Sequence, residues 1–467
     1  MRDSDSTPDS TPGSTPSASE AASQLSRRSV LKGMAGVAGL AGTAGVLAAC
    51  GSSGGGGSKS SGSGAASQPA ASSGGAASGG SISFGSNYSD PAPKAAFAAL
   101  CQEATSKTSV KISINTTDHN TFQNNISSYL QGTPNDLATW FAGYRLQFFA
   151  AQGLLEPIDD VWDTIGSNFN DAAKSLSKGV DGKYYMVPLY NYPWVVFYNK
   201  SVFTQKGYQV PTTWDDFIKL CGQMQKDGLI PLAFAEKDGW PALGTFDILN
   251  LRINGYDYHI KLMKHQVPWT DKGVTAVFDH WRQLMPYMQK GANGRLWQDA
   301  AKALENKQAG MMFQGSNQVA ANYAPKNLAD LDFFHYPAIN SEWGQDYMDA
   351  PTDGFMLPKK AKNKSAAKDV LKYLGTGEAE ANFLKTDHWD VGIAKGLIAP
   401  TYNDIQKKSV AAIGQMKAVS QFMDRDTVPD MATAMIKLIQ QFVDSPTAST
   451  VASIQKSAES QAKDIFS

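Results

Sequence analysis

Alternation of apolar and polar residues sets in at Ile82 and Phe84 in SISFGSN, which ends in a polar turn. A period of two marks a strand with one face turned inward. PAPKAAFAALCQEATSKT then reads as a helix, VKISINTT alternates again through Val110, Ile112 and Ile114, FQNNISSYLQG reads as a helix, and NDLATWF as a short strand. This β-α-β-α-β opening predicts an α/β fold with a mainly parallel central sheet. Ligands on such sheets collect at the carboxyl ends of the strands, and Asn87, Tyr88, Phe141, Tyr144 and Arg145 stand at those ends.

Further on, MVPLYNYPWVVFYNK holds Pro188 and Pro193 in a segment whose later half, Trp194 to Tyr198, is strongly β-prone. Prolines placed this way predict a chain crossing from one lobe to another. A helix from Trp214 to Gln225 starts behind Thr212 or Thr213, LIPLAF is a strand, a loop carries Asp238-Gly239-Trp240-Pro241, and Val274 to Met288 is helical. AKALENKQAGMMFQGSN reads as helix then strand, LDFFHYPA as a strand, DAPTDGFMLPK as strand-like before the helix AAKDVLKYLG, and the chain after Asn403 as nearly all helix. There is no internal repeat and no phosphate-cradling GxxxxGK[ST], so a nucleotide-binding enzyme gains no support.

Ahead of residue 81 the pattern is of another kind. Arg27 and Arg28 in S-R-R-x-V-L-K precede a soft apolar run from Gly33 to Ala49, the layout of an export signal. A permanent span needs ~20 strongly apolar residues, and this run is shorter and softened by glycine. The paired arginines resemble a twin-arginine signal. Leu47-Ala48-Ala49-Cys50 resembles a lipobox, in which Cys50 receives a diacylglycerol and becomes the new N-terminus. From Gly51 to about Gly80 the chain is almost wholly Gly, Ser and Ala, which predicts a flexible tether to the outer face of the cytoplasmic membrane.

Composition narrows the choice of partners. The chain has 467 residues, enough after the leading segment for two packed lobes. With 42 Lys and Arg against 43 Asp and Glu it has no basic stripe, which argues against nucleic acid. Cys101 and Cys221 lie in helix-like stretches with apolar neighbours and read as buried thiols, a single bridge between them staying open. The six histidines show no HExxH spacing and no serine sits in a GxSxG elbow, which weighs against hydrolytic chemistry. Several of the ten tryptophans stand beside Asp, Gly or Pro, positions where a tryptophan rarely serves a core.

YLQGTPNDLATWFAGYRLQFFAAQGLLEPIDDVW, VPLYNYPWVVFYNKSVF, PTTWDDF with GLIPLAF and DGWP, and ENKQAGMMFQG occur in an order that resembles a known family. It is that of the extracellular solute-binding lipoproteins that feed sugar-importing ABC transporters, the group of the maltodextrin-binding protein. The resemblance implies a periplasmic-binding-protein-like fold of two α/β lobes, residues 81–190 with 350–388 and 191–349 with 389–467, joined by a hinge. It also implies a monomer without cofactor or metal that closes over a sugar or oligosaccharide and delivers it to permease subunits in the membrane.

Matched position by position, Phe141, Tyr144 and Arg145 fall where relatives place an aromatic platform and polar contacts. Trp194, beside Tyr190 and Tyr192, falls at the lobe crossing; Asp238 and Trp240 are the second lobe's counterparts, with Gly239 letting backbone approach the ligand. Asp353, Trp389 and Asp390 complete the site, and Asn317 and Arg425 add hydroxyl contacts. The chain departs from the pattern at Gly315-Ser316-Asn317, where many relatives read G-x-W. Such residues suit a pyranose because flat rings cover its apolar face while carboxylates, amides and guanidinium groups bond its hydroxyls. Two other classes stay open: an exported carbohydrate-active hydrolase using a carboxylate pair among Asp238, Asp353 and Asp390, and an anchored adhesion or scaffold protein whose aromatics mark a protein interface.

Overall fold

The computed structural model describes residues 80–395 and 402–467. Arg27, Arg28, the lipidation site Cys50 and the Gly/Ser stretch therefore lie outside the described residues. The strands are β1 (Gly80–Ser86), β2 (Val110–Thr116), β3 (Leu137–Phe141), β4 (Met186–Asn191), β5 (Trp194–Asn199), β6 (Ile230–Leu232), β7 (Ala309–Gly315), β8 (Leu331–Phe334), β9 (Tyr347–Asp349), β10 (Thr352–Met356), β11 (Val391–Gly392) and β12 (Ala418–Ser420).

Six of them form one sheet in the order β11-β4-β10-β3-β1-β2, four form a second in the order β6-β7-β5-β8, and β9 pairs with β12. The expected two α/β lobes are present, but both sheets are mixed, not mainly parallel. The β-α-β-α-β start makes β1 parallel to β2 and β3, because each helix carries the chain back before the next strand. β10 then enters from the other lobe running the opposite way and pairs antiparallel with β3 and β4, while β11 pairs antiparallel with β4. In the second sheet β5 is antiparallel to β7 and β8, and β6 is parallel to β7.

The chain leaves the first sheet at Asn191 and enters the second at Trp194, crossing at Tyr192-Pro193 where the prolines predict it. It returns between Asp349 and Thr352. Because β11 pairs with β4, residues 391–392 extend the first sheet. Helix Pro91–Thr108 is fixed on the first sheet by Phe97, whose ring meets Phe84 edge-on at 4.9 Å.

Helix Trp214–Lys226 starts behind Thr213, whose Oγ1 accepts a hydrogen bond from the Asp216 N–H at 3.3 Å. Helices Pro241–Asn254 and Tyr256–Met263, absent from the sequence reading, follow β6 in the second lobe. Residues 241–252 are buried on every side, so the helix has no polar face and no periodic signal. Cys101 and Cys221 are free and buried, one on Pro91–Thr108 and the other on Trp214–Lys226, so no bridge joins them. No helix among the described residues is long and apolar enough to cross a membrane.

Candidate functional site

Between the lobes lies a cleft whose empty space, counted out into open solvent, is about 810 Å³. The first lobe contributes Asn87 and Tyr88 after β1, His119 and Gln123 after β2, Tyr190 from β4, Asp353 from β10, and Asp387, Trp389 and Asp390 just ahead of β11. Facing them are Trp194, Trp240, Trp297, Asn317 and Gln318, with Phe422, Asp424 and Arg425 from the turn after β12.

Asn87 is held by Thr139, whose hydroxyl donates to Asn87 Oδ1 at 2.7 Å and accepts the Asn87 backbone N–H at 3.0 Å. The Asn87 amide nitrogen stands 3.3 Å from His119 Nδ1. An amide nitrogen only donates, so Nδ1 accepts and the ring proton sits on Nε2. Burial, followed by the charge of Arg425, lowers the His119 pKa to about 4, which keeps the imidazole neutral at physiological pH.

Arg425 forms one corner of the cleft. Its Nη1 meets Asp353 Oδ1 at 2.6 Å, its Nη2 donates to the Tyr192 hydroxyl at 2.8 Å, and its guanidinium lies 4.1 Å from the centre of the Phe141 ring. The Tyr190 hydroxyl donates to the other Asp353 oxygen at 3.1 Å. Burial works against the Arg425 charge, but Asp353 above all raises its pKa further, so it stays a cation. The turn that presents it is strained: Phe422 has φ 95°, in the left-handed region, and is pinned where Met423 N donates to Asp247 at 2.6 Å and Gln421 N to Asp426 at 2.9 Å.

The part of the lining just ahead of β11 is acidic. Burial raises the Asp387 pKa to about 6, although its carboxylate accepts the backbone N–H groups of Trp389 and Asp390 at 3.1 and 3.3 Å. Burial, then the charges of Asp387 and Asp353, push Asp390 well above the usual carboxylate range. Close by, Glu380 accepts from Ile393 N and Ala394 N, each at 2.9 Å, and burial raises it to about 8.

These shifts set a direction for stability. A carboxyl whose folded pKa exceeds its unfolded value of about 4 holds a proton that the unfolded chain has released, so stability declines as pH rises toward the folded pKa. The ligand-free melting temperature is therefore expected to fall by several degrees between about pH 5 and about pH 8. Glu380→Gln is expected to flatten the upper part of that fall. Calorimetric melts across the window check this, and a flat or rising profile in the parent protein would contradict it.

Eight buried polar atoms of cleft residues have no hydrogen-bond partner among the described residues: Tyr88 OH, Trp194 Nε1, Trp389 Nε1, Arg425 Nε, Asn317 Oδ1, Gln318 Oε1, Asp390 Oδ1 and Asp424 Oδ1. Buried polar groups are rarely left unpaired, and donors standing among acceptors suit a guest whose groups do both.

Of the residues singled out from sequence, Asn87, Tyr88, Trp194, Trp240, Asn317, Asp353, Trp389 and Asp390 line the cleft, while Phe141, Tyr144, Arg145 and Asp238 do not. The turn 422–426 covers the end of β3 so closely that a Cβ on Gly143 would meet the Arg425 carbonyl oxygen at 2.6 Å. Phe141 thereby becomes the floor beneath Arg425. Arg145 stands one layer back, its Nη1 on Gln123 Oε1 at 2.6 Å and on Asp424 Oδ2 at 3.2 Å. Tyr144 opens helix Tyr144–Ala151 outside the lining. Asp238 Oδ1 accepts from Asn120 Nδ2 at 2.9 Å. Gly239, at φ +82°, faces Ile436 instead of the cleft: a Cβ there would come within 2.5 Å of Ile436 Cγ2.

Eleven lining residues were not singled out, among them His119, Gln123, Trp297, Gln318, Asp387, Phe422 and Asp424. His119 follows the carboxyl end of β2, so the strand-end rule that finds Asn87 also finds it. Phe422 and Asp424 carry no comparable signal.

Comparison with known proteins agrees with this geometry. Residues 86–381 match the family of bacterial extracellular solute-binding proteins. An uncharacterised ABC transporter extracellular-binding protein of Pyrococcus horikoshii is 24% identical over 315 residues, 65% of this chain and 69% of that protein. The bacterial solute receptor AcbH, whose crystal structures accompany an exclusive preference for β-D-galactopyranose, is 79% identical with a TM-score of 0.83, covering 83% of this chain and all of that one. Maltose-bound MalE3 of T. maritima, 12% identical with a TM-score of 0.70 over 82% of this chain and 99% of its own, shares the fold. Family membership sets aside the hydrolase and scaffold readings. The chain belongs to the bacterial extracellular solute-binding proteins, the non-enzymatic substrate-binding components of ABC importers.

Proposed function

We propose that this protein captures a single hexopyranose, β-D-galactopyranose, between its lobes and delivers it to ABC permease subunits. It acts outside the cytoplasmic membrane, tethered through a diacylglycerol on Cys50 after export by the twin-arginine route. The observation that carries the choice of sugar is the 79% identity to AcbH over that protein's whole length. The cleft supports it. Trp194, Trp240, Trp297 and Trp389 offer rings for the apolar face of a sugar, while Asp353, Asp387, Asp390, Asn317 and Gln318 offer acceptors for hydroxyls. At Asn317, where many relatives carry a tryptophan, an amide takes the place of a ring, with the Gln318 amide beside it, which favours one sugar ring over a chain of them.

Closing is favourable because the sugar touches both lobes at once, and the closed form is what a permease reads. Calorimetry with D-galactose, D-glucose, maltose and raffinose tests the reading. D-Galactose is expected to bind saturably, and its C4 epimer D-glucose roughly 10–100-fold more weakly, since inverting one hydroxyl leaves a buried partner unpaired. Equal affinity for D-glucose, or tighter binding of a disaccharide, would overturn it.

A further inference from the structure

Asn120 bridges the mouth of the cleft without lining it. It lies in the first turn of helix His119–Gln131 on the first lobe, between the cleft residues His119 and Gln123. Across the gap, its Nδ2 donates to Asp238 Oδ1 at 2.9 Å and its Oδ1 accepts from Trp240 Nε1 at 3.2 Å. Both partners belong to the loop between β6 and helix Pro241–Asn254 of the second lobe. A carboxylate only accepts and an indole N–H only donates, so the amide can face them in one orientation alone.

The loop it grips is firm. Gly239 N donates to the Glu236 carbonyl at 3.0 Å, Gln440 Nε2 donates to the same carbonyl at 3.0 Å, and Glu236 Oε2 accepts from Ala242 N at 2.6 Å.

We propose that Asn120 is a positioning residue: a latch that ties the lobes together, fixes the Trp240 indole against the cleft and slows release of the bound sugar. The proposal rests on the reading that a sugar is held between closing lobes. It gives Asp238 the part of latch keeper instead of ligand carboxylate.

An exchange of charge and amide tests it in the mature chain, with D-galactose as probe and dissociation followed by tryptophan fluorescence. Asn120→Asp removes the donor that faces Asp238 and sets a second carboxylate against it, and release measured at about pH 8, where the pair is least able to share a proton, is expected to quicken about tenfold or more. Asn120→Ala should quicken it by less. Adding Asp238→Asn to Asn120→Asp restores one donor and one acceptor in mirror order, and release should return to within about threefold of the parent. Damage confined to the helix of Asn120 would give no such recovery.

Release within about twofold of the parent in both single Asn120 variants, or a double variant as fast as Asn120→Asp alone, would overturn the latch. Should the parent not bind D-galactose, the choice of sugar fails, and X-ray scattering of the ligand-free chain still decides about Asn120. Asn120→Asp should then expand the particle and the double variant should reverse the expansion; identical profiles would sink the proposal.

Discussion

Arg425→Ala is expected to weaken D-galactose binding by more than about 100-fold and to lower the melting temperature at the same time. Arg425 is 6% exposed and its guanidinium joins Asp353, Tyr192 and the face of Phe141. Removing it leaves the Asp353 carboxylate, 5% exposed, with the Tyr190 hydroxyl at 3.1 Å but no cation beside it. An uncompensated buried charge costs about 3–5 kcal/mol, whereas a neutral side chain in its place costs far less.

That difference separates stability from recognition. In Arg425→Ala combined with Asp353→Asn, most of the melting temperature should return, because the stranded charge is gone, while affinity should stay low because the corner of the cleft is still missing. Arg425→Lys should rescue only in part, since one ammonium cannot reach Asp353 and Tyr192 with the spread of a planar fork. Calorimetry and thermal melts on the three variants check this. D-Galactose affinity within about threefold of the parent in Arg425→Ala would mean that the corner is not part of the binding surface.

Much of the frame was legible because the signals that define it are local. The alternation in SISFGSN and VKISINTT places β1 and β2, and the proline pair around Tyr192 marks the crossing, since each depends on neighbours within a few residues. Strand direction is not local. β10 runs against β3 because the chain reaches it from the other lobe, and nothing in PTDGF records that approach. Helix Pro241–Asn254 escaped for the opposite reason: with Asp247, Asn250 and Arg252 as deeply buried as Leu243 and Phe246, its polarity pattern names no inside.

The site divides in the same way. Asn87 and Tyr88 follow from strand ends. The corner built by Arg425 depends on a positive φ at Phe422, a residue that rarely adopts one, and on a turn that lands on Gly143 from far along the sequence. Asp238 and Trp240 were found as a pair, yet only the three-dimensional placement of Asn120 turns Asp238 away from the ligand and toward the other lobe.

The all-buried helix also yields the second large effect, expected for Gly244→Ala. On an exposed helix this change gains about 1 kcal/mol, because alanine is the better helix former. Here the added Cβ would lie 2.4 Å from Trp194 Cζ3, 2.6 Å from Trp194 Cε3 and 2.9 Å from Phe422 Cε2. The indole has little room to retreat: Phe313 stands 5.6 Å from it, Phe422 4.7 Å and Trp240 6.3 Å, centre to centre. Overpacking of this kind costs about 1–3 kcal/mol, which outweighs the gain in propensity. The displaced ring also takes a cleft wall with it, so affinity for D-galactose should fall by more than about tenfold while the melting temperature drops. Both clashing indole atoms belong to its six-membered ring, so Trp194→Phe in the Gly244→Ala background should recover stability without recovering affinity. If Gly244→Ala instead raised the melting temperature and left binding unchanged, helix propensity would have won, and Trp194 would not be seated against this helix as described.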